Sequence, residues 1–251
     1  MQNQNANSPA PAVDAATLAQ AFEALKTYDW GSDRKTLGPI DDAVIATRGD
    51  AAARKDLETR LAAVLGSGVS RAAKDFACRT LTVIGTSASV PALSALLGDA
   101  ELSHMARYAL ERIPVPEAAA ALRDALPKLS GKLKIGAIGS LGVRRDEASV
   151  PALSALIGCS DVAVANAAAN ALGDIGSEPA AKVLCSATKT APSTVKPAVA
   201  DAALAAAKRL LTDGNATAAL ATYDALLAAD PPKYIRLAAS RGTLWVAGKK
   251  S

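Results

Sequence analysis

The segment Ala88-Ser-Val-Pro-Ala-Leu-Ser-Ala-Leu-Leu-Gly98 recurs as Ala148-Ser-Val-Pro-Ala-Leu-Ser-Ala-Leu-Ile-Gly158, with one change, Leu97 to Ile157. The copies begin at positions 88 and 148 and are therefore 60 residues apart. That distance fits two successive units of about thirty residues, each made of two short helices. The sequence therefore predicts a repeated two-helix unit.

The composition favours helices that pack through small side chains. Half of the 251 residues are apolar but only 3% are aromatic, and alanine, the best helix former, is abundant. The 28 basic and 24 acidic residues give a formal net charge of +4, which is mild for a dedicated nucleic-acid binder. The weakly charged stretch between Glu147 and Asp174 is interrupted by Pro151 and Gly158, so it predicts two buried helices and no membrane span.

Helix breakers recur after apolar segments at Gly85, Pro114, Gly142 and Gly176. Glycine ends a helix by taking the left-handed conformation, and proline cannot continue one. Eight apolar positions precede these breakers in register and are predicted to lie in the core: Leu81, Leu110, Ile138 and Leu172, then Ile84, Ile113, Leu141 and Ile175. The pattern predicts helices over Ala15–Thr27, Ala51–Leu65, Ala72–Ile84, Pro179–Thr190, Val195–Leu211, Ala216–Ala229 and Lys233–Val246.

These helices predict an all-α fold in one domain. Residues 1–12 are polar and uncharged and are expected to form a disordered leader. Residues 13–248 are expected to form a single α-solenoid, with the clearest repeats at 50–190 and capping helix pairs at 13–48 and 191–248.

The phrases Leu81-Thr-Val-Ile-Gly-Thr-Ser-Ala-Ser-Val-Pro-Ala-Leu93 and Leu172-Gly-Asp-Ile-Gly176 resemble HEAT repeats of the short variety also seen in phycobilin lyase subunits. The resemblance is good from about Ala72 to Leu184. It implies a right-handed superhelix of stacked antiparallel helix pairs that binds another protein, and it brings no catalytic residues with it.

Two further segments, Tyr28-Asp-Trp-Gly31 and Ser103-His-Met-Ala-Arg-Tyr-Ala-Leu110, resemble those of exported HEAT-repeat proteins of environmental bacteria. This resemblance implies an extracytoplasmic or periplasmic scaffold. The first residues lack the apolar segment of a signal peptide, so a cytoplasmic location is the alternative.

Residues able to carry chemistry are few. His104 is the single histidine, which excludes a multi-histidine metal site, and no phosphate-binding or nucleophile-elbow motif occurs. We expect no metal, no cofactor and no enzymatic activity. Cys78, Cys159 and Cys185 lack metal-ligand spacing and are expected to be buried thiols, with a Cys159–Cys185 disulfide as the alternative.

Polar residues on successive second helices form a predicted row. Asp75, His104, Lys132 and Asn166 fall at one level of the aligned repeats, and Arg79, Tyr108, Gly136 and Asn170 fall at the next. Second helices usually line the concave face of HEAT-like solenoids, so we hypothesise a partner-binding groove there. Its candidate residues are Lys74, Asp75, Arg79, His104, Arg107, Tyr108, Lys132, Arg144, Arg145, Asn166 and Asn170. The alternative is an ordinary solvated helix surface.

Two smaller features have open interpretations. Gly136 and Gly139 share a helix face, which favours close approach of a neighbouring helix over a ligand contact. The aromatic residues cluster near the two ends, where they either cap the core or form a partner surface.

Three functions follow from these features, in order of preference. The first is a non-enzymatic scaffold that mediates protein–protein interaction. The second is a tetrapyrrole-binding, lyase-like protein, and the third is nucleic-acid binding through the basic residues of the row.

Overall fold

A computed structural model describes residues 13–248, and the predicted leader at 1–12 lies outside the described residues. The described part is all α-helical apart from turns and connecting segments. Its fourteen α-helices are α1 Ala15–Thr27, α2 Gly38–Ala46, α3 Ala51–Leu65, α4 Arg71–Ile84, α5 Val90–Ser94, α6 Ser103–Arg112, α7 Pro116–Ala125, α8 Gly131–Val143, α9 Val150–Leu156, α10 Val162–Ile175, α11 Glu178–Thr190, α12 Lys196–Thr212, α13 Ala216–Ala228 and α14 Lys233–Gly248. Four short 3₁₀ segments accompany them, at Arg34–Leu37, Ser87–Ser89, Leu126–Lys128 and Glu147–Ser149.

These helices belong to two compact units, one ending at Ala121 and one beginning at Leu122. We call them unit 1 and unit 2 and describe each by itself. Each is built from helix pairs joined by short connections, and the two helices of α3/α4 and of α11/α12 pack against each other. The predicted all-α fold of stacked helix pairs is therefore confirmed, whereas a single domain over 13–248 stays a prediction.

The duplicated segment adopts the same local structure twice. A 3₁₀ segment, Ser87–Ser89 or Glu147–Ser149, leads into a short helix with proline in its first turn. Proline is tolerated there because the first helical N–H groups have no partner within the helix. Leu93 and Leu153 are both fully buried. Each copy therefore places one leucine in the core of its own unit.

The eight aligned apolar positions all lie in the core, with exposed fractions of 2% or less. Their burial follows from the stacking of second helices: α4 packs on α6 in unit 1, and α8, α10 and α12 pack in series in unit 2. Each helix therefore shields the apolar side of its neighbour from water, as a repeat array requires.

At two of the predicted helix stops, the structure differs in detail from the prediction. Gly176 takes the left-handed conformation (φ +59°) at the end of α10, as predicted, but Gly85 ends α4 in an extended conformation. Gly142 lies inside α8, which continues to Val143, and the left-handed residue is Arg145 (φ +54°). The prediction of a stop at Gly142 was wrong because this glycine serves helix packing: a Cβ there would lie 3.0 Å from the Ala171 Cα of α10.

Side chains satisfy several helix ends. Asp14, Asp50 and Asp161 accept hydrogen bonds from the first free N–H groups of α1, α3 and α10. Asp33 likewise caps the 3₁₀ segment Arg34–Leu37, where its side chain accepts the Lys35 N–H. Within residues 13–248, no helix has the length and apolarity to cross a membrane.

Candidate functional site

A cleft of about 370 Å³ lies in unit 1 between α4 and the segment that connects α1 to α2. Its base is the face of α4 formed by Ala72, Phe76 and Thr80, which are spaced by four and lie on one side of the helix. All three are buried. The connecting segment supplies the opposite wall, with Tyr28 and Trp30. The cleft thus has an apolar base and an aromatic wall.

Two ion pairs lie at this cleft. The Arg34 Nη2 atom contacts Asp41 Oδ2 at 2.8 Å and Oδ1 at 3.2 Å, and the Arg34 Cζ atom lies 4.6 Å from the centre of the Phe76 ring. The Arg79 Nε atom donates to Asp75 Oδ2 at 2.9 Å. Each carboxylate therefore holds one guanidinium in place, and the cleft presents both signs of charge. Arg79 keeps 62% of its side chain exposed, so it remains accessible to a partner.

Trp30 is 70% exposed although it belongs to an ordered turn. The Trp30 backbone N–H donates to Asp29 Oδ1 at 2.8 Å, and the Asp29 backbone N–H donates to Ser32 Oγ at 3.1 Å. The Ser70 hydroxyl, just before α4, donates to the Tyr28 carbonyl. These contacts fix the turn on α4 and leave the indole in solvent. A large exposed indole at the edge of a cleft is a feature of partner-binding surfaces.

The terminal aromatic residues were expected either to cap the core or to form a partner surface, and their exposure differs. Phe22 and Tyr223 are buried, with exposed fractions of 8% and 2%, and serve the core of their own units. Trp30, Tyr234 and Trp245 are largely exposed. The burial of the first two agrees with a capping role, and a partner surface formed by the other three stays a prediction.

In unit 1 the predicted row occupies α4 and α6, which pack together. Asp75 and Arg79 line the cleft, Lys74 is half-buried, and His104 is exposed. Arg107 and Tyr108 are half-buried. Burial lowers the pKa of the Arg107 guanidinium, and Glu111 opposes that shift.

The Tyr108 ring is covered by Arg112, whose Cζ atom lies 3.6 Å from the ring centre. This cation–π contact leaves only part of the ring accessible. The partner-binding role of Tyr108 therefore stays a prediction.

In unit 2 the row lies on α8 and α10 and in the loop after α8. Lys132 and Asn170 are exposed, whereas Arg144 and Asn166 are half-buried. The side-chain oxygen of Asn166 is buried and accepts no hydrogen bond from residues 13–248. The partner-binding role of these four residues stays a prediction.

Arg145 is engaged inside unit 2. Its Nε atom donates to the Ile175 carbonyl at 3.1 Å, at the end of α10, and its Nη2 atom pairs with Asp213 after α12. In unit 1, Arg54 bonds the Val83 and Ile84 carbonyls at the end of α4 in a similar way. Both arginines satisfy helix carbonyls that have no partner within the helix. The structure thus gives Arg145 a structural role; its partner-binding role stays a prediction.

The sequence did not single out Arg34 and Asp41, which complete the cleft. Tyr28 and Trp30 were noticed only as terminal aromatics and as part of a resemblance. The sequence does not show that this turn packs on α4, because the contact between them joins residues about forty positions apart. The available signal was a tryptophan within a turn-forming sequence, Asp29-Trp-Gly-Ser32.

Metal-ligating side chains do not cluster in the described part of the chain. Within residues 13–248 no three His, Cys, Asp or Glu side chains come together as a metal site requires. The three cysteines are free thiols, Cys78 being buried and Cys159 and Cys185 half-buried. The prediction of buried thiols is therefore confirmed for Cys78.

We expect Cys78 to be inert in the folded protein. Burial, followed by the Asp75 carboxylate, raises the pKa of this thiol to about 12, and the thiolate is the reactive form. At about pH 8 roughly one such thiol in 10⁴ is ionised. A variant with Cys159→Ser and Cys185→Ser should therefore not react with Ellman's reagent until urea unfolds it. Rapid reaction of the native variant would show that Cys78 is accessible.

The comparisons with known proteins bear on the repeat itself. Residues 127–205 match the HEAT repeat family. The match extends from the residues just before α8 into α12, whereas the sequence itself resembles HEAT repeats from about Ala72 to Leu184. The matched segment includes α8, α10 and most of α12, which pack in series in unit 2.

Among solved structures, that of human deoxyhypusine hydroxylase in complex with glycerol is similar to this chain at 19% sequence identity. The similarity covers 90% of this chain and 94% of that one, with a TM-score of 0.37. No curated protein matches the sequence. The expected export of the protein stays a prediction.

Proposed function

We propose that this HEAT-repeat chain is a non-enzymatic scaffold that binds another protein, and that the cleft of unit 1 is a docking site. The observation that carries the proposal is the exposed indole of Trp30 beside the Arg34 and Arg79 guanidiniums. Tryptophan and arginine are the side chains most enriched among residues that dominate protein–protein binding. The ion pairs with Asp41 and Asp75 reduce the entropy that the two arginines lose on binding.

The mixed charge of the cleft favours a protein partner over a nucleic acid. Asp41 and Asp75 lie beside the two arginines at distances of 2.8 and 2.9 Å. Phosphates that approached these guanidiniums would also approach the carboxylates, which repel them. A protein surface can offer both an acidic and a basic group and so match this pattern.

The row on the second helices belongs to the same proposal. In unit 1 the cleft opens on α4, and α6 with His104 and Arg107 packs beside it. We infer that a partner seated on Trp30 and Arg79 extends over α6. In unit 2, Lys132 and Asn170 offer exposed polar groups on the corresponding helices, and Asn166 beside them is half-buried.

The test uses two variants of the cleft and two matched controls. Trp30→Ala removes the exposed indole, and Arg79→Glu reverses a charge; Val83→Ala and Lys55→Glu make the same kinds of change at other exposed positions of unit 1. A partner is identified by co-purification from cells that express the protein natively, and its Kd is then measured by calorimetry with purified components. Each cleft variant should weaken binding about 30-fold or more, as expected for a hot-spot residue, and the controls by less than about threefold.

Equal affinity of the cleft variants and the controls would contradict the docking site. A purified chain that shifts DNA or RNA in a gel, with a shift that weakens steeply as salt rises, would contradict the preference for a protein partner.

A further inference from the structure

The last helix, α14, has two apolar faces. Its inner face packs on α12 and α13 through Ile235, Ala239 and Val246, all of which are buried, and Gly242 lies against the Tyr223 ring. Its outer face carries large apolar side chains in solvent. We call this face the outer stripe; it is formed by Leu237, which is 51% exposed, Leu244, which is 71% exposed, and the exposed Arg241 between them.

The spacing of the outer stripe is that of a helix-packing surface. Positions 237, 241 and 244 are separated by four and three residues, so they lie along one side of α14. A helix that packs on one side only normally presents polar residues on the other. In the outer stripe, Arg241 is the one charged residue. The outer stripe therefore has the pattern of a surface that another helix covers.

The packing of unit 2 indicates what kind of element fits there. α10 lies between α8 and α12, and α12 lies against α10, α11, α13 and α14. Within residues 13–248, α14 is packed only on the side of α12 and α13. A further helix laid along the outer stripe would bury it as the interior helices bury theirs. A partner helix binds an apolar surface through anchors at i, i+3 or i+4, and i+7.

The positive charge of α14 indicates which kind of partner helix would bind it. Lys233, Arg236 and Arg241 are its charged residues, and no acidic residue occurs between Lys233 and Gly248. Arg236 pairs with Asp230 at 3.4 Å, whereas Arg241 lies between Leu237 and Leu244 and forms no ion pair with residues 13–248. An acidic helix would place carboxylates beside Arg241 and Lys233 and would be attracted to this surface.

The same charge disfavours a second copy of this chain as the occupant. A symmetric pair of α14 helices would meet near the middle of the outer stripe, between positions 237 and 244, where Arg241 lies. The two-fold axis would bring the two Arg241 guanidiniums together. Like charges held at such a distance repel each other, and neither helix offers a carboxylate to separate them.

We propose that the outer stripe of α14 is a second docking surface, which binds an acidic amphipathic helix of a partner protein. Leu237 and Leu244 form the apolar contact, and Arg241 between them pairs with a carboxylate of the partner helix. This surface belongs to unit 2 and operates independently of the cleft in unit 1.

The experiment measures binding of synthetic helical peptides to the full chain by fluorescence anisotropy. The first peptide is about as long as α14, with leucines along one face and glutamates on the other; a second carries lysines for the glutamates, and a third has the first sequence scrambled. The acidic peptide should bind about tenfold or more tightly than the other two. Equal binding of all three, or preference for the lysine peptide, would overturn the proposal.

Variants of the chain locate the binding. Leu237→Ser with Leu244→Ser should weaken the acidic peptide about tenfold or more, while Val83→Ser, at an exposed apolar position of α4, should leave it unchanged. Arg241→Glu should weaken the acidic peptide and strengthen the lysine peptide, a reversal that misfolding cannot produce. Unchanged affinities in these variants would overturn the proposal. So would a dimer of the full chain, seen by light scattering, that the double serine variant abolishes.

Discussion

Replacing Glu58 by alanine should lower the free energy of unfolding by about 3 kcal/mol. Glu58 lies in α3 and is only 2% exposed. Its carboxylate accepts the Thr86 N–H at 2.7 Å, the Thr86 hydroxyl at 2.9 Å and the Ser89 hydroxyl at 2.5 Å. These three donors belong to the connection between α4 and α5. One buried side chain therefore holds the start of the next repeat.

The size of the effect comes from the donors that the alanine would leave behind. Each buried donor without an acceptor costs about 1–3 kcal/mol, and bonds to charged acceptors are the stronger ones. Removal of the side chain also leaves a cavity between α3 and the Ser87–Ser89 segment. Urea unfolding followed by circular dichroism measures the change.

The matched control is Glu101→Ala, which also removes a glutamate from unit 1. Glu101 pairs with Arg71 at 2.5 Å, but both side chains are more than half exposed. An exposed pair of this kind contributes little, so the control should change stability by less than about 1 kcal/mol. If the two variants unfold at the same urea concentration, the network around Glu58 does not stabilise the repeat.

Gly173→Ala and Gly139→Ala should have opposite effects on stability. At Gly173 of α10, an added Cβ would lie 2.9 Å from the Ala202 carbonyl oxygen and 3.0 Å from the Ala202 Cα of α12. The contact is with backbone, so the two helices must separate, at a cost of about 1–3 kcal/mol. At Gly139 of α8, an added Cβ meets no atom within 4 Å. There the better helix propensity of alanine should stabilise the protein by up to about 1 kcal/mol.

Thermal and urea unfolding of both variants measure whether each substitution raises or lowers the free energy of unfolding. A destabilised Gly139→Ala variant would mean that a helix contacts α8 at this position. A stabilised Gly173→Ala variant would mean that α10 and α12 are farther apart than their backbones indicate. Either result would change the account of how the second helices of unit 2 pack.

The same glycines show which features of helix packing the sequence could predict. Close helix approach was expected on the face of Gly136 and Gly139. An added Cβ at Gly139 would meet no atom within 4 Å, whereas those at Gly142 and Gly173 would meet Ala171 and Ala202. The sequence indicated that small residues would allow helices to approach. Which glycine meets the neighbour depends on how each helix is rotated, and the rotation is set by all the side chains of the interface together.

Glu58 illustrates the limit for polar residues. In sequence it stands between Leu57 and Leu61 and has the appearance of an ordinary solvated position on a helix. Its burial depends on a connection about thirty residues further along the chain, which folds over α3 and brings Thr86 and Ser89 to it. No pattern within one helix carries that information.

The sequence by itself determined the helices and their pairing. The limits of α1 and α3 were predicted to the residue, and the eight aligned apolar positions all lie in the core. Helix formation and amphipathic burial depend on residues three and four apart, so a local pattern contains them. Only the tertiary structure decided the cleft at Trp30, the carboxylate network of Glu58 and the exposed stripe of α14. The cleft and the Glu58 network form where segments distant in the chain meet, and the stripe of α14 is exposed where no described segment covers it. The packing of whole helix faces decides which side chains remain in contact with solvent.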